Sequence, residues 1–280
     1  MATGPTTRRR QLGAGLRRLR RQKGLSLEEA GGLVGLSKAT VSRYETKEGP
    51  VKWAFVDALC RVYGASDEER ARLVELARSA RAEGWWQAYP DAIPGRMHLF
   101  LTLENESVRE DHYATAHVPG LLQTRRYAEA LYRTDLDPIP EERLRAVLDV
   151  RMKRQEVLTR PDPLELRVVL DEAAVRRAGP PDVHREQLAH LVECARLPNV
   201  DLRILPFDRG LRSSAVGAFL VLVGADPSLD VVYQESLTAS LYLEKDAEVE
   251  EYRRAFADLH RRALEPDASI ALLDKLRKEP

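Results

Sequence analysis

Cysteine is scarce in this chain, and so are aromatic residues and long apolar runs. Cys60 and Cys194 are the only cysteines among 280 residues, and both lie on predicted apolar helix faces. Two such residues fit buried, reduced thiols better than a disulfide framework or a cysteine-rich zinc site. No segment approaches the ~20 apolar residues of a membrane span, and the basic N-terminus lacks the apolar run of a signal peptide. We therefore expect a cytoplasmic protein that does not enter a membrane.

The chain also lacks the common signatures of catalysis and of nucleotide or metal binding. It contains no Walker-type phosphate loop, no G-x-G-x-x-G, no G-x-S-x-G and no H-E-x-x-H. Asp111, His112 and His117 are the best metal-ligand grouping, but a spacing of five turns the two imidazoles away from a common helix face. We therefore predict no metal, no cofactor and no enzymatic activity.

Net charge is absent from the chain as a whole but not from its parts. The 44 basic and 44 acidic side chains give a formal net charge of zero. Residues 1–80 hold 16 basic against 9 acidic residues, whereas the other 200 residues hold 28 against 35. This asymmetry is typical of a nucleic-acid-binding segment joined to a different kind of body.

Residues 25–46, LSLEEAGGLVGLSKATVSRYET, have the pattern of two short helices joined by a tight turn. Ser26 and Glu29 have the spacing of a capping box at the start of the first helix. Gly35 stands in the turn, where a left-handed backbone costs least for glycine. Ser37 is placed to cap the second helix. The segment therefore predicts a helix–turn–helix.

The same segment predicts which side chains pack and which face outward. Gly31 and Gly32 each weaken a helix, so the pair indicates close packing between helices. Val41 and Tyr44 face inward at i, i+3 spacing. The outer face of the second helix is then built from Lys38, Ala39, Thr40, Ser42 and Arg43.

This outer face suits the major groove of double-stranded DNA, as a recognition helix requires. We predict that base edges are read by Lys38, Ala39 and Arg43. Residues 8–23 hold eight basic side chains and no acid, and we expect the arginines to fan outward while a leucine stripe packs inward. The predicted phosphate ligands are Arg17, Arg18, Arg21, Ser37, Thr40 and Ser42.

Residues 11–64 resemble the lambda-repressor-like helix-turn-helix family, in its xenobiotic-response-element branch. The resemblance implies a sequence-specific transcriptional regulator. Leu27 departs from the family, which often has a phosphate-binding Gln there, and Ala39 is small where the family often has a polar base reader. Lys38 and Arg43 are left as the main readers. Because one short helix reads few base pairs, we expect a homodimer on inverted half-sites of a DNA operator.

The pattern of the chain predicts an α+β protein in three parts. A five-helix unit over residues 1–80 is followed by an aromatic linker over 81–96 and an α+β domain over 97–280. In that domain we expect helices at 99–112, 123–132 and 140–158, then strands at 164–170, 200–205, 218–223 and 229–233. Further helices are expected at 183–196, 246–264 and 269–278. Trp85 and Trp86 predict a linker that docks rather than a free tether.

The runs YATAHVPGLLQTRRYAEAL (113–131), LRVVLDEAAVRR (166–177), GAFLVL (217–222) and VVYQE (231–235) resemble the effector domain of actinobacterial WhiJ-like regulators. This second resemblance covers residues 97–275 and implies a small protein partner, whose gene often lies nearby. A Pro-Gly corner followed by two leucines suggests a partner or ligand site, although the leucines equally fit a core. The residues assigned to it are Val118, Pro119, Leu121, Leu122 and Gln123.

An enzymatic alternative rests on the order of a few polar residues. Arg167 on a strand, Ser213 with Ser214, and Glu235 at the end of a later strand follow the order seen in ADP-ribosyltransferases. Those enzymes normally have Glu or Gln two residues before the catalytic Glu, and here that position is Tyr233. Arg167 paired with Glu165 on one strand face, or Glu235 in an internal ion pair, is the simpler interpretation. Such a pair could instead line a ligand pocket without performing a reaction. Three hypotheses remain: a regulator whose body binds a protein, one whose body binds a small ligand, and a DNA-tethered enzyme.

Overall fold

The computed structural model describes residues 7–46, 51–79, 85–89, 92–134, 139–177, 179–209, 217–225, 230–237 and 239–279. The chain divides into two compact units. The first comprises Met1–Gln87 with Gly95–Leu103, and the second comprises Ala88–Pro94 with Glu104–Pro280. Ser213 and Ser214 of the enzymatic alternative lie outside the described residues.

The first unit is helical. Its helices are α1 (Thr7–Gln22), α2 (Leu27–Val34), α3 (Lys38–Thr46), α4 (Trp53–Tyr63), α5 (Asp67–Ser79) and the larger part of α6 (Gly95–Glu106). The leucine stripe of α1 is buried together with residues of α3, α4 and α5 in one core: Leu12, Leu16, Leu19, Val41, Tyr44, Val56, Leu59, Cys60, Tyr63 and Leu73. The sequence pattern places Trp53 on the apolar face of α4 with Val56, Leu59, Cys60 and Tyr63, but its side chain is 47% exposed at the start of the helix.

The second unit is built on one mixed sheet. Its strands are β1 (Arg109–Ala114), β2 (Glu165–Asp171), β3 (Val200–Leu205), β4 (Phe219–Val223), β5 (Val231–Glu235) and β6 (Ser240–Leu243). The strand order is β3-β2-β1-β4-β5-β6, with β1, β2 and β3 parallel and the other neighbours antiparallel. Its helices are α7 (Arg125–Tyr132), α8 (Glu141–Arg154), α9 (Glu172–Arg176), α10 (Pro181–Cys194), α11 (Asp246–Arg262) and α12 (Pro266–Lys278).

Helices cover both faces of this sheet. Alternate residues of β2, such as Leu166 and Leu170, lie in a core with Leu188 of α10 and Leu273 of α12. Val169 belongs to a second core that includes Phe256 of α11. The α+β class predicted from the pattern is confirmed.

Two strands differ from the sequence-based expectation. The helix expected through His112 ends at Glu106, and β1 follows it at the centre of the sheet. The charged residues of its sequence, REDHYA, gave no sign of a buried strand. In the fold, however, Glu110 and Asp111 are only 1% and 3% exposed. The pattern gave no sign of β6, whose four residues are too few to establish a period.

The aromatic linker contains a short 3₁₀ helix over Trp85–Ala88. Trp86 is buried at 8% exposure, and its ring meets that of Trp85 edge-on with centroids 5.8 Å apart. Such burial is typical of large aromatic side chains.

Candidate nucleic-acid interface

The turn between α2 and α3 is built by local interactions. The Ser26 hydroxyl accepts from the Glu29 backbone N–H at 3.2 Å, and a Glu29 carboxylate oxygen accepts from the Ser26 N–H at 2.8 Å. Gly35 ends α2 with φ 71°, in the left-handed region. Ser37 caps α3, because its hydroxyl accepts from the Thr40 N–H at 3.2 Å. The caps predicted from the sequence are confirmed.

Close packing explains one of the two adjacent glycines. A Cβ on Gly31 would clash with the Leu36 carbonyl oxygen and would lie 3.3 Å from the Leu36 carbonyl carbon. A Cβ on Gly32 would meet nothing within 4 Å. The pair was expected to pack as a unit, and this expectation is wrong for Gly32. Of these two glycines, only Gly31 requires a hydrogen in place of a side chain.

The two faces of α3 differ sharply in burial. Val41 is fully buried and Tyr44 is 5% exposed, while Lys38, Ala39 and Arg43 are exposed. The outward row thus presents two long cationic side chains on either side of a methyl group. Such a row is able to reach base edges in a major groove.

Smaller polar side chains support this row. The Thr40 hydroxyl receives a hydrogen bond from Arg43 Nη2 at 3.2 Å and lies 2.9 Å from the Ser37 hydroxyl. Thr40 and Ser42 are half-buried. Arg43 is therefore held toward the start of α3, where a recognition helix meets its bases.

The arginines of α1 do not all fan outward as expected. Arg9 and Arg10 are each 5% exposed. Arg20 makes a two-point ion pair with the Glu45 carboxylate, at 2.6 and 2.9 Å. Glu45 is 2% exposed in its side chain, and a buried carboxylate needs such a partner. Much of the basic composition of α1 therefore serves the packing of α3.

The three predicted phosphate ligands of α1 line one surface groove of about 430 Å³. It is bordered by Ala14, Arg17, Arg18, Arg21, Gln22 and Glu45. Arg17 lies 3.9 Å from the Glu45 carboxylate, and Arg18 pairs with Glu69 of α5. Arg21 is exposed and makes no ion pair within the described part of the chain. Among the three, Arg21 has the charge most available to a phosphate.

The predicted partner segment of the second unit is buried. Val118, Leu121, Leu122 and Gln123 are between 0 and 4% exposed, and Pro119 is buried as well. The three apolar members belong to the core that also contains β2, α10 and α12. These side chains fill the core, the alternative left open by the sequence, and do not form an exposed docking surface.

Three glutamines hold this segment, a role that the sequence pattern did not reveal. Gln187 of α10 donates to the Leu122 carbonyl at 2.6 Å and accepts from the Thr124 N–H at 2.7 Å. Gln155 donates to the carbonyls of Gly120 and Gln123, at 3.0 and 2.7 Å. The Gln123 side chain donates to the Val118 carbonyl at 2.7 Å. Buried loop carbonyls need such partners, and only the folded chain brings these glutamines to them.

Arg167 and Glu235 are not brought together. The register across the sheet runs Arg167, Asp111, Val221, Val232, so β1 and β4 separate β2 from β5. Three strand spacings amount to ~14 Å. Glu235 lies three residues beyond Val232 and therefore points to the opposite face.

Arg167 has an internal partner instead, although not the predicted Glu165. Its guanidinium lies 3.5 Å from the Asp111 carboxylate and 5.2 Å from the centre of the Phe256 ring. Burial raises the pKa of the Asp111 carboxyl, an effect that the charges of Arg167 and Arg109 oppose. Arg167 and Glu235 thus do not share a cleft.

Two members of the candidate metal grouping, Asp111 and His112, lie on opposite faces of β1. His112 Nδ1 lies 3.0 Å from a Glu110 carboxylate oxygen on one face of β1, whereas Asp111 faces the other side with Arg109 and Arg167. No group of three or more His, Cys, Asp or Glu side chains in the described ranges is arranged to hold a metal ion.

Fold and surface together define a helix–turn–helix protein with a separate α+β body. Residues 11–73 match a family model described as a helix-turn-helix domain, which supports DNA binding and transcription regulation. Residues 97–275 match the model of a domain of unknown function, DUF5753, and the chain belongs to this family. No curated protein and no solved structure matches the chain. In the described residues, no helix is long and apolar enough to cross a membrane.

Proposed function

We propose that the chain is a sequence-specific transcriptional regulator of the lambda-repressor-like, xenobiotic-response-element type. The observation that carries this proposal is the outward row of α3, where Lys38 and Arg43 flank Ala39 on a helix whose start is fixed by Ser37. Base recognition requires side chains that reach outward from a rigid element. Arg21, with Arg17 and Arg18, supplies the salt-dependent contact to phosphates.

The test begins with selection of a preferred duplex from random double-stranded DNA by the full-length protein. Arg43→Ala is then compared with Arg21→Ala at fixed salt. Loss of a base contact is expected to cost about 1–3 kcal/mol and to relax one position of the site, whereas loss of a phosphate contact weakens all sequences alike. The proposed reading is contradicted when Arg43→Ala leaves both affinity and preference unchanged.

We further propose that the protein acts as a homodimer on inverted half-sites. One exposed helix of nine residues contacts few base pairs, so useful specificity requires a second copy about one helical turn away, ~34 Å. Light scattering at micromolar concentration, with and without the selected duplex, measures the assembly. A mass corresponding to one chain under both conditions contradicts the dimer.

For the second unit we propose a regulatory body without catalytic activity, of the WhiJ-like type, which binds a small protein or a ligand. The wide separation of Arg167 and Glu235 supports a body that is not catalytic. Because the 118–123 segment is buried, we assign it to the core of this body rather than to its binding surface. Native mass spectrometry of the full-length protein purified from its own cells tests for a bound protein or ligand. A mass corresponding to the protein alone in every preparation contradicts this proposal.

A further inference from the structure

The C-terminal turn of α3 is held by side chains of α1. The last carbonyls of a helix have no partner within the helix. Arg9 Nη1 donates to the Tyr44 carbonyl and Arg9 Nη2 to the Arg43 carbonyl, both at 2.7 Å. One guanidinium therefore joins two consecutive carbonyls, including that of the proposed base reader Arg43.

Arg9 is suited to this position by its charge and its shape. A cation at the C-terminal end of a helix interacts favourably with the helix dipole. The planar guanidinium offers two parallel donors, which an ammonium group does not. Burial lowers the pKa of Arg9 to about 10, so the side chain remains charged at neutral pH. Its carbon Cζ lies 6.0 Å from the centre of the Tyr44 ring.

Neighbouring contacts bring α1 against the same turn. A Cβ on Gly13 would lie only 2.7 Å from the Glu45 carbonyl oxygen, so the backbones approach closely there. Arg20 holds the buried Glu45 carboxylate at two points. The backbone or side chain of three successive residues, 43 to 45, is thus fixed by α1.

We infer that Arg9 is a positioning residue for DNA reading, acting through the carbonyls of Arg43 and Tyr44 rather than through a phosphate. This inference rests on the proposed function. The guanidinium sets the direction in which the last turn of α3 presents the Arg43 side chain. A small rotation of that turn displaces the end of a long side chain far more than it displaces the helix itself. Base selectivity therefore depends on Arg9, whereas general attraction to DNA does not.

The experiment compares Arg9→Lys and Arg9→Gln with Arg21→Gln in the full-length protein. Affinities for the selected duplex and for a scrambled duplex are measured at several salt concentrations, and circular dichroism confirms folding at the assay temperature. For Arg9→Lys we expect the ratio of specific to non-specific affinity to fall at least about tenfold, while affinity for the scrambled duplex stays within about twofold. Arg21→Gln is expected to lower both affinities equally and to reduce the salt slope by about one.

Each other outcome overturns the inference in a recognisable way. An unchanged specificity ratio in both Arg9 variants shows that selectivity does not depend on the hydrogen bonds of the Arg9 guanidinium to the Arg43 and Tyr44 carbonyls. An equal loss on both duplexes, with a smaller salt slope in Arg9→Gln, makes Arg9 a phosphate ligand. Loss of the folded first unit in Arg9→Lys makes it a stability residue alone. Failure of the proposed function is distinct, because the wild-type protein would then show no preference for any duplex.

Discussion

Adjacent glycines in α2 offer a matched pair of substitutions with opposite expected effects. Gly31→Ala and Gly32→Ala add the same methyl group to neighbouring positions of one helix. Both gain the same helix propensity, about 0.5–1 kcal/mol. They differ in surroundings, because the methyl group is in open space at Gly32 and meets the Leu36 backbone at Gly31.

The magnitude follows from what must move. The atom that the methyl group meets is the backbone carbonyl oxygen of Leu36, in the turn between α2 and α3. Rotation of a side chain therefore cannot relieve the clash. The turn has to shift to make room for the methyl group, and overpacking of this kind costs about 1–3 kcal/mol. Since the propensity gain is common to both variants, their difference in free energy of unfolding isolates this cost. We therefore expect Gly32→Ala to be the more stable by about 1–3 kcal/mol.

Differential scanning calorimetry of the full-length protein measures the difference. For a helical unit of this size, 1 kcal/mol shifts the Tm by about 4–8 °C, so the transitions of the two variants should lie at least about 4 °C apart. Because Ser37 and the start of α3 follow the displaced turn, Gly31→Ala should also weaken binding to the selected duplex. A Gly31→Ala variant as stable as Gly32→Ala refutes the reasoning.

Further substitutions and labels test the two cores. Leu122→Asp is expected to unfold the second unit, because Leu122 is fully buried. Even Leu→Ala at such a site costs about 2–5 kcal/mol of stability, and Asp adds the cost of burying a charge. A variant with an unchanged melting curve contradicts the core assignment. Burial raises the pKa of the Cys60 and Cys194 thiols to about 11, so Ellman's reagent at pH 8 should label them slowly in the native protein and fully in urea. Rapid labelling of either thiol in the native protein shows that it is accessible.

The helix–turn–helix was predictable because its signals are local. Ser26, Glu29, Gly35 and Ser37 act within three or four residues of themselves, so their spacing in the sequence already contains the geometry of the caps. The leucine stripe of α1 is equally local, because periodicity alone decides which side of a helix is apolar.

The roles of the arginines were less predictable because they depend on distant residues. Arg9 and Arg20 are as basic in sequence as Arg21, and only the approach of α3 separates them. Glu45, which pairs with Arg20 across 25 positions, gave no local sign of its burial. Gly31 and Gly32 differ for the same reason, since the carbonyl that excludes a methyl group belongs to the following turn.

Similar reasoning applies to the second unit. Strand β1 was hidden because Glu110 and Asp111 are buried against partners on opposite faces, so charge no longer marks the exposed side. The 118–123 corner looked like an exposed surface because Pro-Gly corners often are. Its burial depends on Gln187, 65 positions from Leu122, which supplies the hydrogen bonds that allow the loop to leave water.

Sheet order has the largest consequence for function. In sequence, Arg167 and Glu235 stand in the order of a transferase site, and sequence order is all that a motif comparison examines. Because β1 and β4 lie between β2 and β5, the first and last residues of the motif are separated by two strands and by the sheet itself. A reaction requires its acid and its cation within reach of one substrate atom. Arg167 and Glu235 fail this condition, and this is why we propose a regulatory rather than a catalytic role for the unit that follows the helix–turn–helix.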